Sequence, residues 1–158
     1  MKEIQLSGKG EHIALVDDED FEALNKFTWR AQKQKNIFYA IRIFAVNGKK
    51  FRVRMHCAIM NRKGIDHIDH DGLNNQKNNL RFCTNSENSM NRRKRVNCTS
   101  IYKGVYFSKA AGKWQAYIMI NGKHIHLGLF ASEADAAKAY NTKAVSLFRE
   151  FANLNIIC

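Results

Sequence analysis

Three carboxylates, Asp66, Asp69 and Asp71, stand close together in a chain whose central stretches are otherwise basic. No Asp or Glu occurs between Glu22 and Asp66, and none between Glu87 and Glu133, although Lys and Arg are frequent in both intervals. Carboxylates in a basic field repel a phosphate backbone unless a cation lies between them. The pattern therefore points to a divalent metal meeting a phosphate, with an ordinary acidic turn as the competing explanation. The same stretch is dense in asparagine: Asn74, Asn75, Asn78, Asn79, Asn85 and Asn88. Asn side chains close local turns and serve as neutral oxygen ligands, so residues 55–90 are expected to be a polar loop scaffold rather than a packed helix.

The elements that must position these groups lie on either side. Upstream, residues 13–16, 38–44 and 51–54 are short apolar or alternating runs, the last two joined by the Asn47-Gly48 turn signal; they predict a small antiparallel sheet. An acidic helical turn over 17–24 interrupts it, and Trp29 supplies core bulk. Downstream, residues 102–107, 114–120 and 123–127 predict three strands, the last two joined through Asn121-Gly122. A helix follows Phe130, with Ser132 as N-cap, Asp135 at the capping-box spacing, and Ala137, Tyr140, Ala144 and Leu147 or Phe148 along one face. Trp114, Ala116, Ile118 and Ile120 on the middle strand point toward that helix, as do Ile125 and Leu127 on the third. Gln115, Tyr117, Met119, His124 and His126 are left on the opposite face.

The fold class is α+β, in two small modules, and the basic run Arg92, Arg93, Lys94 and Arg95 marks a linker between them. Composition sets the partner class. With 45% hydrophobic residues the 158-residue chain can build cores, and 26 Lys and Arg against 14 Asp and Glu suit a polyanion. Cys57, Cys83, Cys98 and Cys158 are too scattered for a cysteine zinc site. No leader and no membrane-spanning run is evident, so a soluble, cytoplasmic protein with reduced thiols is expected.

The segment Gly64-Ile65-Asp66-His67-Ile68-Asp69-His70-Asp71-Gly72-Leu73-Asn74-Asn75, continued by Asn78-Asn79-Leu80-Arg81-Phe82-Cys83-Thr84 and Ser86-Glu87-Asn88, resembles the HNH endonuclease family. The resemblance implies a two-stranded ribbon and a helix around one metal ion, the ββα-metal motif, over about residues 64–91 within a domain 1–91. Asp66-His67 would lie on the first strand, Leu80 to Thr84 on the second, and Asn88 on a helix starting near Ser86. By position, His67 is implied as the general base, a role suited to an imidazole near neutral pH. Asn79 is implied to hold the loop that orients it, and Asp66 and Asn88 to be the metal ligands. Many members carry His where this chain has Asn88, which favours magnesium, or manganese, over zinc. Alternation along the first strand puts Asp69 on the face of His67 and leaves it as an alternative ligand. His56 is read as structural or as a phosphate contact. His70 stands where relatives carry Gly and receives no catalytic role.

Residues 100–158, through Ser100 to Tyr106, Gly112 to Ala116, His126 to Phe130, Glu133 to Tyr140 and Phe151 to Asn155, resemble the plant APETALA/ethylene-response-factor DNA-binding domain. In that family the sheet face opposite the helix enters the major groove. The implied contacts are Lys103, Tyr106, Ser108, Gln115, Tyr117, Met119, His124 and His126, with Arg92, Arg93, Lys94 and Arg95 following the backbone over a linker 92–99. Several of these positions hold Arg or Trp in the plant proteins, so the plant target sequence does not carry over. Together the resemblances imply a monomeric homing-type endonuclease that nicks double-stranded DNA and has no membrane partner. A non-catalytic DNA-binding regulator and a structure-selective or RNA-directed nuclease are the rivals.

Overall fold

Ile4 and Leu6 alternate with polar neighbours, as do Ala14 and Val16, and these four buried side chains form the inner face of a hairpin. Its strands, β1 (Lys2–Leu6) and β2 (His12–Val16), pair antiparallel with Lys2 opposite Val16. The computed structural model describes residues 1–94 and 98–157, so the predicted linker residue Arg95 lies outside the described residues. The chain divides into two compact units, Met1–Thr84 and Asn85–Cys158.

In the first unit α1 (Asp18–Asn25) carries the predicted acidic turn, with Asp18, Glu19 and Asp20 at its positive end. Three further strands, β3 (Arg30–Gln34), β4 (Ile37–Val46) and β5 (Lys49–Arg54), form a second antiparallel sheet in that order. The single sheet expected from the sequence is thus two, linked by an isolated parallel bridge between Ser7 and Arg30. Trp29 is 2% exposed and donates its indole N–H to the Leu24 carbonyl at 2.9 Å. Around it pack Ile4, Leu6, Ala14, Val16, Leu24, Ala40 and Met55. A five-residue helix, α2 (Met55–Ile59), follows β5 and buries Met55 and His56; it falls where a polar loop was expected. Then comes the ribbon of β6 (Ile65–His67) and β7 (Leu80–Phe82), paired antiparallel, with a 3-10 turn at Lys77–Asn79 just before β7.

The second unit opens with the short helix α3 (Asn85–Met90). Its sheet contains β8 (Val105–Ser108), β9 (Lys113–Ile120) and β10 (Lys123–Phe130), all antiparallel with β9 in the middle. Helix α4 (Glu133–Phe148) covers one face. Ser132 caps it as expected, its hydroxyl oxygen accepting from the Asp135 N–H at 3.1 Å. Val105 and Ala116 pack on Ala136 and Ala137, and Ile118 on Tyr140, Ala144 and Phe148. Asn155 substitutes for a strand neighbour: its amide accepts from the Lys103 N–H at 2.6 Å and donates to the Lys103 carbonyl at 3.0 Å. Among the described residues no helix is long and apolar enough to cross a membrane.

Gly104 sets the distance between sheet and helix. A Cβ there would stand 2.2 Å from the Tyr140 ring and 2.6 Å from the Tyr117 carbonyl oxygen, and φ is +75°. Gly104→Ala is expected to destabilise the second unit by about 1–3 kcal/mol through overpacking. That would lower its melting temperature by about 4–8 °C per kcal/mol. Thermal unfolding followed by near-ultraviolet circular dichroism checks this; an unchanged melting temperature would contradict the packing.

Candidate functional site

Short strands put Asp66 and His67 on opposite faces of the ribbon. Ile65 and His67 turn inward, 9% and 5% exposed, while Asp66 faces Arg81 across the pair. Arg81 donates to the Asp66 carboxylate at 3.3 Å, with both side chains largely buried. Strand β6 ends at His67, so alternation does not extend to Asp69. Asp69 lies in the loop beyond, and the strand argument for placing it beside His67 does not hold.

That loop is held by its own amides and carboxylates. Asp69 and Asn79 pair reciprocally: the Asp69 N–H donates to Asn79 Oδ1 at 3.1 Å, and Asn79 Nδ2 donates to Asp69 Oδ1 at 2.9 Å. Asn79 Nδ2 also donates to the Asn74 carbonyl at 2.8 Å. Asp69 accepts further from the Asp71 N–H and from Asn74 Nδ2, both at 2.8 Å. Burial works to raise the pKa of Asp69, but these hydrogen bonds and His67 outweigh it and hold the carboxyl below its ordinary range. His70 adopts φ +66°, the left-handed region that favours glycine and the position where the resembled family carries Gly. Gly72 lets the loop lie against β4, since a Cβ there would stand 2.3 Å from the Phe38 carbonyl oxygen.

His67 meets Asn75, His56 and Tyr39. Its Nε2 lies 3.3 Å from Asn75 Oδ1, and its ring packs against His56, centroids 4.7 Å apart, and Tyr39, 5.9 Å apart. Burial lowers its pKa most, and the Asn75 bond and the Asp69, Asp66 and Asp71 charges oppose this without cancelling it. The imidazole is therefore neutral near pH 7. Burial, with the His67 and Arg54 charges, pushes His56 down to about 3. His56 is 2% exposed, and its Nδ1 has no hydrogen-bond partner among the described residues. Sequence reasoning named His56 but missed the helix that carries it beneath His67, because five residues are too few to show a helical period. It counted Asn75 among the dense asparagines and gave it no role of its own.

Asn88 is exposed on α3, in the second unit. Among the described residues no group of three or more His, Cys, Asp or Glu side chains is arranged to hold a metal.

On the second unit's sheet, Tyr106, Met119, His124 and His126 are exposed on the face away from α4, while Ser108, Gln115 and Tyr117 are half-buried. Tyr106, Tyr117 and His124 form an aromatic stripe across the strands, with ring centroids 5.4 and 5.1 Å apart. A cavity of about 490 Å³ adjoins this face, lined by Tyr117, Met119 and His124 on one side and Met90, Arg92 and Arg93 on the other. Lys103 precedes β8 and donates to the Met90 carbonyl at 2.7 Å. Burial brings its pKa down to about 8. Arg92 and Arg93 are exposed and Lys94 half-buried. In the first unit the outer half of the β4–β5 hairpin is exposed on both faces, carrying Lys49, Lys50, Arg52 and Arg54 beside the stacked Phe44 and Phe51.

Comparison with known proteins finds relatives of two kinds. An uncharacterized HNH endonuclease of Acanthamoeba polyphaga mimivirus is 38% identical over 93 residues, 59% of this chain and 47% of that protein. An ethylene-responsive transcription factor-like protein of Arabidopsis thaliana is 33% identical over 87 residues, 54% of this chain and 38% of that protein. An AP2-like ethylene-responsive transcription factor of the same plant is 36% identical over 59 residues, 37% of this chain and 12% of that protein. The chain thus spans under half the length of each of these relatives. No protein-family model matches it, and no solved structure does.

The buried histidines make stability depend on pH. His56 titrates near its ordinary 6.5 when unfolded and at about 3 when folded, so between these values the unfolded chain binds a proton that the folded chain does not. Stability is full above the unfolded value and falls as pH drops through the window. Between neutrality and about pH 5 the expected loss from this residue is about 2 kcal/mol. Urea unfolding at the two pH values checks it: in His56→Gln the loss should shrink by that amount, and an equal loss in both proteins would contradict the assignment.

Proposed function

We propose that the chain is a metal-dependent DNA endonuclease of the HNH type, hydrolysing a phosphodiester of double-stranded DNA through His67. The observation that carries this reading is the ribbon that buries a neutral His67 beside the ion-paired Asp66, closed by a loop on which the Asn79 amide makes three hydrogen bonds. Similarity to a viral protein named an HNH endonuclease supports it. In domain terms residues 1–91 form the endonuclease, with the ββα-metal motif over about 64–91, then a basic linker 92–99 and a DNA-binding domain 100–158.

Asp66 and Asn88 would hold the metal. Their donor set, a carboxylate and a carboxamide oxygen, is hard and free of sulfur, which fits magnesium or manganese. Magnesium keeps several waters, so it does not require three protein carboxylates or imidazoles. When bound, such an ion neutralises the scissile phosphate and stabilises the leaving 3′ oxygen. His67 accepts the proton of the attacking water, and Asn79 keeps the loop beside it in one conformation.

DNA is gripped through the Lys and Arg of residues 92–95 along the backbone and through the outer face of β8, β9 and β10, by Tyr106, Ser108, Gln115, Tyr117, Met119, His124 and His126. Lys103, turned toward the Met90 carbonyl, is available only if that bond opens. The exposed β4–β5 hairpin is a further basic surface, of a kind the major groove admits. Similarity to plant transcription factors favours a second reading, a DNA-binding protein without catalysis.

Replacing His67 with Ala removes proton transfer and no phosphate contact. Cleavage is expected to fall by about 10²- to 10⁴-fold, with DNA affinity in a gel-shift assay nearly unchanged. Cleavage at the unmodified rate would remove His67 from the mechanism.

A further inference from the structure

Asn75 is 0% exposed and fixed on three sides. Its backbone N–H donates to the Leu15 carbonyl of β2 at 2.8 Å, and its side-chain Nδ2 donates to the Leu73 carbonyl at 3.0 Å. Leu73 O is itself tied to β2, accepting from the Leu15 N–H at 2.9 Å. Residues on either side of Leu15, Ala14 and Val16, lie in the core of the unit at 0% exposure. These bonds decide which way the amide points. Turned over, Asn75 would set its oxygen against the Leu73 carbonyl, two acceptors face to face in a buried site. Its oxygen therefore faces His67, at 3.3 Å from Nε2.

An amide oxygen only accepts, so the imidazole nitrogen opposite it must donate. A neutral imidazole carries one N–H, and with that hydrogen on Nε2 the lone pair is on Nδ1. Asn79, the amide singled out by the sequence, is not placed to orient the ring. Its oxygen accepts from the Asp69 N–H, and its nitrogen donates to Asp69 and Asn74. The two asparagines have separate roles, Asn79 holding the loop and Asn75 holding the ring.

We propose that Asn75 is a positioning residue that locks the His67 ring in the Nε2–H tautomer through a hydrogen bond anchored on β2. The tautomer follows from the buried hydrogen bonds alone; its catalytic consequence rests on the nuclease reading above. A methyl group at this position would remove the acceptor opposite Nε2, and with it the preference for the Nε2–H tautomer that Asn75 imposes.

The test is ¹⁵N NMR of the His67 ring in the full chain, at a pH well above the ordinary histidine value. In the unsubstituted protein Nε2 should show the shift of a protonated nitrogen and Nδ1 that of an unprotonated one. Asn75→Ala should move both shifts toward intermediate values and lower kcat for DNA cleavage about 10²-fold, within what a general base supplies, with DNA affinity unchanged. A proton on Nδ1 in the unsubstituted protein would overturn the proposal, as would an unaltered tautomer in Asn75→Ala. The unsubstituted protein gives its answer even if Asn75→Ala does not fold. If the chain cuts no DNA, the nuclease reading fails while the ring shifts still decide the role of Asn75.

Discussion

The first unit's candidate site depends on one reciprocal pair, Asp69 with Asn79. The chain leaves β6 after His67 and must return to start β7 at Leu80, opposite the residue it just left. A turn of this length exposes many backbone donors and acceptors that need partners. Asp69 and Asn79 close it by exchanging hydrogen bonds in both directions, and Asn74 and Asp71 add donors to the same carboxylate. With the loop closed, Asn75 falls between β2 and His67, and Gly72 against β4. The acidic cluster that stands out in the sequence therefore has a structural use in Asp69, whose carboxylate is engaged within the loop. Asp66, paired with Arg81, is the carboxylate that remains on the ribbon.

Much of the second unit was legible because its signals are local. The Asn121-Gly122 turn, the alternation on β9 and the Ser132 cap each act within a few residues, and the structure has strands and helix there. The first unit was less legible. Strands β1 and β3 carry weak local signals and exist by pairing with β2 and β4. Helix α2 is too short for periodicity and is fixed by burial of Met55 and His56. At the candidate site the sequence located the ribbon and the residues around it. It could not reveal that Asn75 faces His67, that His56 packs edge-on against the same ring, or that Lys103 turns back to the Met90 carbonyl. Those contacts join residues whose proximity only the folded chain creates.

Electrostatics ties the two units to one kind of partner. The intervals without carboxylates fall on the exposed β4–β5 hairpin in one unit, and on the sheet face and the arginines before it in the other. A net charge of +12 spread this way favours a long polyanion, and such binding weakens steeply with salt. Within the basic field the groups nearest His67 are held neutral or engaged: His56 by burial, Asp66 by Arg81, and Asp69 by the loop. That contrast between a charged surface and a buried neutral imidazole is what a phosphodiester hydrolase needs. In the proposed nuclease the surface would bind the backbone, and the imidazole would accept a proton.

The central claim is that this arrangement cuts DNA. Incubating the full chain with supercoiled plasmid, in magnesium and again with excess chelator, tests it most directly. With one His67 per chain, open circles are expected in magnesium, accumulating before any linear product, and intact supercoils with chelator. Plasmid that is bound but left uncut in both magnesium and manganese would contradict the claim.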